Sequence, residues 1–239
     1  DWGVIRSPVT TWPLPAAAIA ADMLDNDRLA RLSATQLVVA ERLRRRLREA
    51  MQQVDIKSSA RFALATDEKS FRVFEDTPRD SGGVQLQAEG LGMSWAYRAR
   101  FSYAIDPDDN KNYRGDGSYA ALNLGNWALG VGAQDRWWGP GWEGSLIYSN
   151  NARPITSLFL QRNQSTPFES NWLSWLGHWN LVTTIGQLES GRFVPRALFF
   201  SMRVSFRPLQ GLEIGLSRTA QFGGKGRTVN FKTFGKLLI

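Results

Sequence analysis

The sequence predicts a mainly β protein, an antiparallel barrel of the outer-membrane kind preceded by a small helical bundle, and three observations carry that expectation. Along residues 93–105 every second residue is apolar or aromatic, from Met93, Trp95 and Tyr97 through Phe101 and Tyr103 to Ile105, with Arg98, Arg100 and Ser102 between them. Period two marks a strand with one greasy and one polar face. The alternation outruns the ~5 to 6 residues of an average soluble strand and reaches the about 9 to 11 that a tilted strand needs to cross a bilayer. Ten tryptophans in 239 residues suit a molecule with a boundary between dry and wet surroundings, because an indole joins an apolar body to an N–H that wants a partner.

The first part of the chain has a different period. In TTWPLPAAAIAADML a threonine and a proline-containing first turn precede a run of alanines, which predicts a helix over 14–25. Ser33 is a suitable N-cap, and Leu37, Val38, Leu43 and Leu47 with Ala34, Ala40 and Ala50 fall on helical spacing, which predicts a second helix over 33–53. Residues 1–54 therefore form one helical segment and residues 55–239 the strands. Strands are expected at 58–66, 83–90, 92–106, 116–125, 127–135, 154–162, 179–188, 196–207 and 211–221, with a further one near 228–234. LGNW, PLQG and the longer DPDDNKN supply the turns. No window approaches the ~20 consecutive apolar residues of a spanning helix. The run GKLLI closes a strand-like stretch without a marked end, so the chain reads as part of a longer one.

Charge and composition narrow the chemistry. A net charge of +7 favours an anionic partner, whether nucleic acid, lipid phosphate or acidic polysaccharide. With no cysteine there is no disulfide and no Cys-ligated metal, and a lone histidine, His178, gives neither a His cluster nor local support for a Ser-His-Asp triad. Arg42, Arg44, Arg45, Arg46 and Arg48 crowd the second helix, but they spread over both of its faces and no aromatic or glycine motif of a nucleic-acid module accompanies them. The glycines of FGGKGR lack the P-loop spacing and open no helix, so they read as a loop.

The most distinctive block is QDRWWGPGWEGSL, residues 134–146. Its indoles could stack on sugar rings with Arg136 or Arg153 pairing an acidic sugar, or they could pin a loop by packing on Gly139 and Gly141. Adjacent residues on a strand point to opposite faces, so at most one of Trp137 and Trp138 can join Trp142 in one platform. Asp135 and Glu143 flank the turn as a glycosidase pair would, yet their spacing in sequence sets no distance between the carboxylates. Trp172, Trp175 and Trp179 look like a girdle at a membrane boundary.

The runs GVIRSPVTTWPL, QLVVAERLRRRL, RWWGPGWEGSLIYSNNARPITSLFLQRN and LEIGLSRTAQFGGKGR together resemble the Wzi family of capsule-assembly proteins. The resemblance implies an outer-membrane barrel of about eighteen strands, of which this chain supplies about half, with the helical segment 1–54 as a plug at the periplasmic end. It implies a lectin-like, non-enzymatic role in attaching capsular polysaccharide to the surface of a Gram-negative cell. The partners expected are that polysaccharide and outer-membrane lipid, with no nucleic acid, no cofactor and no metal. Arg136, Trp138, Trp142 and Arg153 are the candidate polysaccharide-binding residues. A channel or porin and, further off, a carbohydrate-active enzyme are the alternatives.

Overall fold

The computed structural model describes residues 2–52, 54–66, 72–74, 80–227, 229 and 235. The chain opens with a short strand, β1 (Thr11–Trp12), and continues through α1 (Ala16–Asp22), α2 (Asn26–Leu29) and α3 (Ala34–Met51). The helix expected over 14–25 is shorter, Ala16–Asp22, because the acidic residues at its end are used elsewhere. Asp22 accepts hydrogen bonds from the N–H groups of Arg6 and Ser7 at 2.9 and 2.7 Å, and the Asp25 carboxylate caps a new turn by accepting from Arg28 N–H. Ser33 starts α3 through a reciprocal capping box with Gln36.

The apolar stripe of α3 is only partly used. Val4, Met23, Leu29 and Ala40 form a small core with Leu32 and Leu47 against it, whereas Val38 and Leu43 stay exposed. Length explains this: at ~1.5 Å per residue, α1 is about 10 Å long and α3 about 27 Å, so one covers less than half of the other.

From Val54 the chain is a meander. The strands β2 (Val54–Leu64), β3 (Gly82–Leu91), β4 (Trp95–Ile105), β5 (Tyr113–Arg114), β6 (Tyr119–Leu124), β7 (Trp127–Gly132), β8 (Trp137–Trp138), β9 (Ser157–Arg162), β10 (His178–Gln187), β11 (Leu198–Leu209) and β12 (Leu212–Phe222) follow in order. All but β8 join one antiparallel ten-stranded sheet, which runs from β2 to β12 with each strand beside the next and β5 paired on β4. Among the described residues β2 and β12 are not paired with each other, so the sheet is open. The nine strands expected between residues 58 and 221 are all present, with ends displaced by a few residues. The one expected near 228–234 lies outside the described residues except for Val229.

The two faces of the sheet differ as the alternation requires. On one face, β4 carries Trp95, Tyr97, Phe101 and Tyr103, and β11 carries Phe200, Met202, Val204 and Phe206. Rings gather at both ends of this face. Trp95 stacks on Tyr97 at 5.8 Å, Trp175 meets Phe206 edge-on at 6.3 Å, and Phe168 stacks on Trp179 at 4.4 Å near the α-helical end. Tyr113 sits 5.3 Å from Tyr103 at the other end. Arg162 lies with its guanidinium 3.9 Å from the Trp179 ring and donates to the carbonyls of Thr166 and Trp179.

The opposite face is polar and covered from within by the chain's own first residues. Glu213 accepts from the N–H groups of Val9 and Thr10 at 2.9 and 3.0 Å and from the Thr10 hydroxyl at 2.6 Å. Arg203, 2% exposed, donates to the hydroxyls of Thr10, Thr11 and Ser217. A Cβ at Gly215 would collide with that guanidinium, so this position must stay bare for the arginine to reach across β12.

Replacing Glu213 by alanine strips the acceptor from three donors and is expected to destabilise the docked segment by about 3 kcal/mol, since each buried donor left unmatched costs ~1–3 kcal/mol. Limited proteolysis of the protein in detergent should then cleave residues 5–14 faster while the strands remain protected; an unchanged cleavage rate would contradict the role given to Glu213.

Candidate functional site

Between β7 and β9 the chain leaves the sheet, and residues 133–156 fold back over its inner face. Trp137 and Trp138 pair with Trp12 and Thr11 to make a two-stranded inner sheet. Gly139 N–H continues the pairing to Thr10 O at 3.0 Å, and Leu146 N–H returns to Trp138 O at 3.1 Å. The block thus contains a strand of its own, paired with a segment more than a hundred residues away. No local pattern in the sequence specifies that partner.

The adjacent indoles do point apart. Trp138 is 0% exposed and meets Tyr148 edge-on at 4.8 Å. Tyr148 in turn bonds the hydroxyls of Thr184 and Ser201 on the sheet wall, at 3.1 and 2.8 Å. Trp137 faces the other way, donates its indole N–H to Gly141 O at 2.8 Å, and packs on Phe74. Phe74 is the hub of a ring cluster: Trp12 and Trp142 both approach it at 4.8 Å, and its N–H donates to Trp142 O. Trp142 itself is 65% exposed. The indole sharing Trp142's cluster is therefore Trp137, while Trp138 packs on the wall.

Arg153 stands in a chain of ion pairs. It holds Asp116 through two bonds of 2.7 and 2.8 Å and reaches Asp109 at 2.9 Å, while Arg114 holds Asp80 through two bonds and Asp109 at 3.0 Å. Hydrogen bonding to Asp116 raises the pKa of Arg153. Burial pushes the Asp109 carboxyl up, but hydrogen bonds from Arg153, the Lys111 N–H and Arg114 outweigh it and hold the group at about 2 against an ordinary 3.8. The network ties the turn after β4 to the start of β9.

Arg136 is placed differently. It is 4% exposed, donates to the side-chain oxygen of Gln134 at 3.2 Å and lies 5.2 Å from the Phe159 ring centre. Its Nη1 has no hydrogen-bond partner, and burial lowers its pKa to about 10.

These pieces border one cleft of about 870 Å³, open to solvent. Trp12, Phe74 and Trp137 line its aromatic side; Arg98 and Arg100 from β4 line another; Gln134, Asp135 and Arg136 lie between, with Arg72 and Asn150. Arg98 is paired with Glu89 at 2.9 Å, and Arg100 donates twice to the Gln87 amide. Of the two carboxylates that flank the turn, Asp135 lines the cleft, whereas Glu143 is exposed and does not. Arg136 borders the cleft, and Trp142 joins it through Phe74. Arg153 and Trp138 do not line it. Sequence reasoning missed Trp12, Arg72 and Phe74, which come from distant loops without periodicity. The inward alternation of Arg98 and Arg100 was the one legible signal for this wall. Among the described residues no three His, Asp or Glu side chains converge as metal ligands would.

The family described as capsule assembly protein Wzi matches residues 53–239. The chain is 30% identical over 247 residues to an uncharacterized 55.8 kDa protein in the cps region of Klebsiella pneumoniae, which covers 98% of this chain and 46% of that one. It is also similar to the solved structure of Escherichia coli Wzi, with a TM-score of 0.85, 30% identity, and coverage of 97% of this chain and 52% of that one. That protein is described as an outer membrane protein involved in group 1 capsule assembly and as a carbohydrate-binding β-barrel. The chain spans about half the length of the relatives it matches.

The two exposed-versus-buried indoles predict opposite outcomes. Trp138→Ala should destabilise the protein by about 3–5 kcal/mol, the usual range for a buried tryptophan, and Trp142→Ala by under about 1 kcal/mol; denaturant unfolding in detergent measures both. For Asp109 the folded pKa lies below the unfolded one, so its contribution is present above pH ~4 and is lost as pH falls toward ~2. Amide exchange in residues 106–116 should accelerate over that interval, and Asp109→Asn should exchange fast throughout.

Proposed function

We propose, from the premise that this chain belongs to the family of capsule assembly protein Wzi, that it is part of an outer-membrane barrel that binds polysaccharide at the cell surface without catalysing a reaction. The observation that carries this reading is the aromatic cluster of Trp12, Phe74, Trp137 and Trp142 beside an arginine-lined cleft inside the sheet. Rings offer flat faces to the C–H surfaces of a sugar, and arginines offer paired donors to its oxygens. The outer face supports the location. Its strands of 10 to 12 residues at β3, β4, β10, β11 and β12 have the length a tilted membrane strand needs, with rings at both ends and lipid as the partner of the apolar face. The segment 1–54 acts as the plug at one end.

The four candidate residues take different parts in this proposal. Trp142 presents an exposed ring to the polysaccharide, and Arg136 supplies a cation at the border of the cleft. Trp138 and Arg153 hold the loop that carries them, the first by packing and the second by its ion pairs. Hydrolysis of a glycoside would call for two carboxylates about the scissile bond, and the cleft is lined by Asp135 alone of the flanking pair. A conducting channel is not favoured by an inner wall on which residues 9–13, Trp138 and Tyr148 are docked.

Capsule retention on cells carrying Trp142→Ala tests the reading. Loss of one stacking ring, worth ~0.5–1.5 kcal/mol, should weaken binding of capsular polysaccharide by up to about tenfold and reduce retained capsule at unchanged barrel assembly. Normal retention in Trp142→Ala and in Arg136→Gln, with both proteins assembled, would reject the cluster as the binding surface.

A further inference from the structure

Among the described residues, the guanidinium groups of Arg114, Arg162 and Arg203 are each matched by several acceptors, and that of Arg136 is not. Arg114 has two aspartates, Arg162 has two backbone carbonyls and a hydroxyl, and Arg203 has three hydroxyls. Arg136 has a single neutral amide oxygen and a ring face, and its Nη1 is unmatched. A guanidinium taken out of water without a carboxylate is expensive by several kcal/mol, and that imbalance is relieved when an anion arrives.

The neighbours of Arg136 point the same way. Arg72, Arg98 and Arg100 line the same cleft, and among the described lining residues Asp135 is the one carboxylate. Asn150 and Gln134 add amide groups suited to hydroxyls, and the half-buried rings of Trp12 and Phe74 line the same cleft. An inorganic anion would have no use for that aromatic wall, whereas a sugar carrying a carboxylate uses both halves of the cleft.

We infer that the cleft is a subsite for a carboxylate-bearing sugar residue of the hexuronate class, with Arg136 as the counter-ion of the carboxylate and the half-buried Trp12 and Phe74 against the ring. This rests on the polysaccharide-binding reading above and narrows it to an acidic repeat unit. It also gives Arg136 a role that packing alone does not explain, since an apolar residue of similar volume would fill the same place at lower desolvation cost.

The test uses the protein purified in detergent and two probes, a glucuronate-containing capsular oligosaccharide and the same oligosaccharide after chemical reduction of its carboxyl groups to hydroxyls. Wild-type protein should bind the native probe at least tenfold more tightly than the reduced one, and the difference should shrink as salt is raised. Arg136→Gln should bind both probes equally, at the level the wild type shows for the reduced probe. Equal binding of the two probes by wild-type protein would overturn the inference while leaving polysaccharide binding intact. Binding of neither would remove the functional reading and the subsite together. A selective loss in wild type that survives unchanged in a folded Arg136→Gln protein would assign the carboxylate to another arginine and overturn the role given to Arg136.

Discussion

The inner face of the sheet is polar, and everything inside the molecule follows from the need to satisfy it. A strand that is apolar on one side carries its polar side chains on the other, and polar groups there require partners. This chain meets the requirement with its own first residues. Glu213 and Arg203 take the N–H and hydroxyl groups of Val9, Thr10 and Thr11, and the docked segment then offers its edge to Trp137 and Trp138. The inner sheet is therefore built on β12 and β11, and the aromatic block is held by strands far from it in sequence.

That scaffold sorts the charges into two kinds. Where arginines and aspartates meet around the loops, as in the run from Asp80 through Arg114, Asp109 and Arg153 to Asp116, they fasten these segments to one another, and the depressed pKa of Asp109 registers how many donors converge on one carboxylate. Where an arginine lies against the sheet wall beneath the aromatic block, it is stranded. Arg136 is carried to its place by the Trp137–Trp138 strand, and among the described residues it pairs with no acid. The same packing that hides Trp138 and Tyr148 thus keeps a cation poised at the edge of the cleft.

The tryptophan block shows how one short segment divides its labour. Alternation on a two-residue strand sends Trp138 to the wall and Trp137 to the cleft, and the turn through Gly139 and Gly141 brings Trp142 back toward Phe74. The buried ring fixes the backbone, and the ring of Trp142 stays exposed. Sequence alone could say that two adjacent indoles must part, but not which of them would share a side with Trp142.

What the sequence determined by itself was the alternation and its consequences. Period two over β4, β11 and β12 set which side chains share a face, the family blocks fixed the fold class, and the capping of α3 by Ser33 was legible from residue types alone. These are local properties, written at spacings of two to four residues. Tertiary structure alone decided the early end of α1, the pairing of β1 with β8, and the gathering of Trp12, Arg72, Phe74 and Arg136 around one cleft. Each of these joins segments with no periodic relation, so the partner is chosen by which buried donors and acceptors remain unmatched once the sheet has formed. That choice exists only in three dimensions, and among the described residues it left Arg136 without a carboxylate partner.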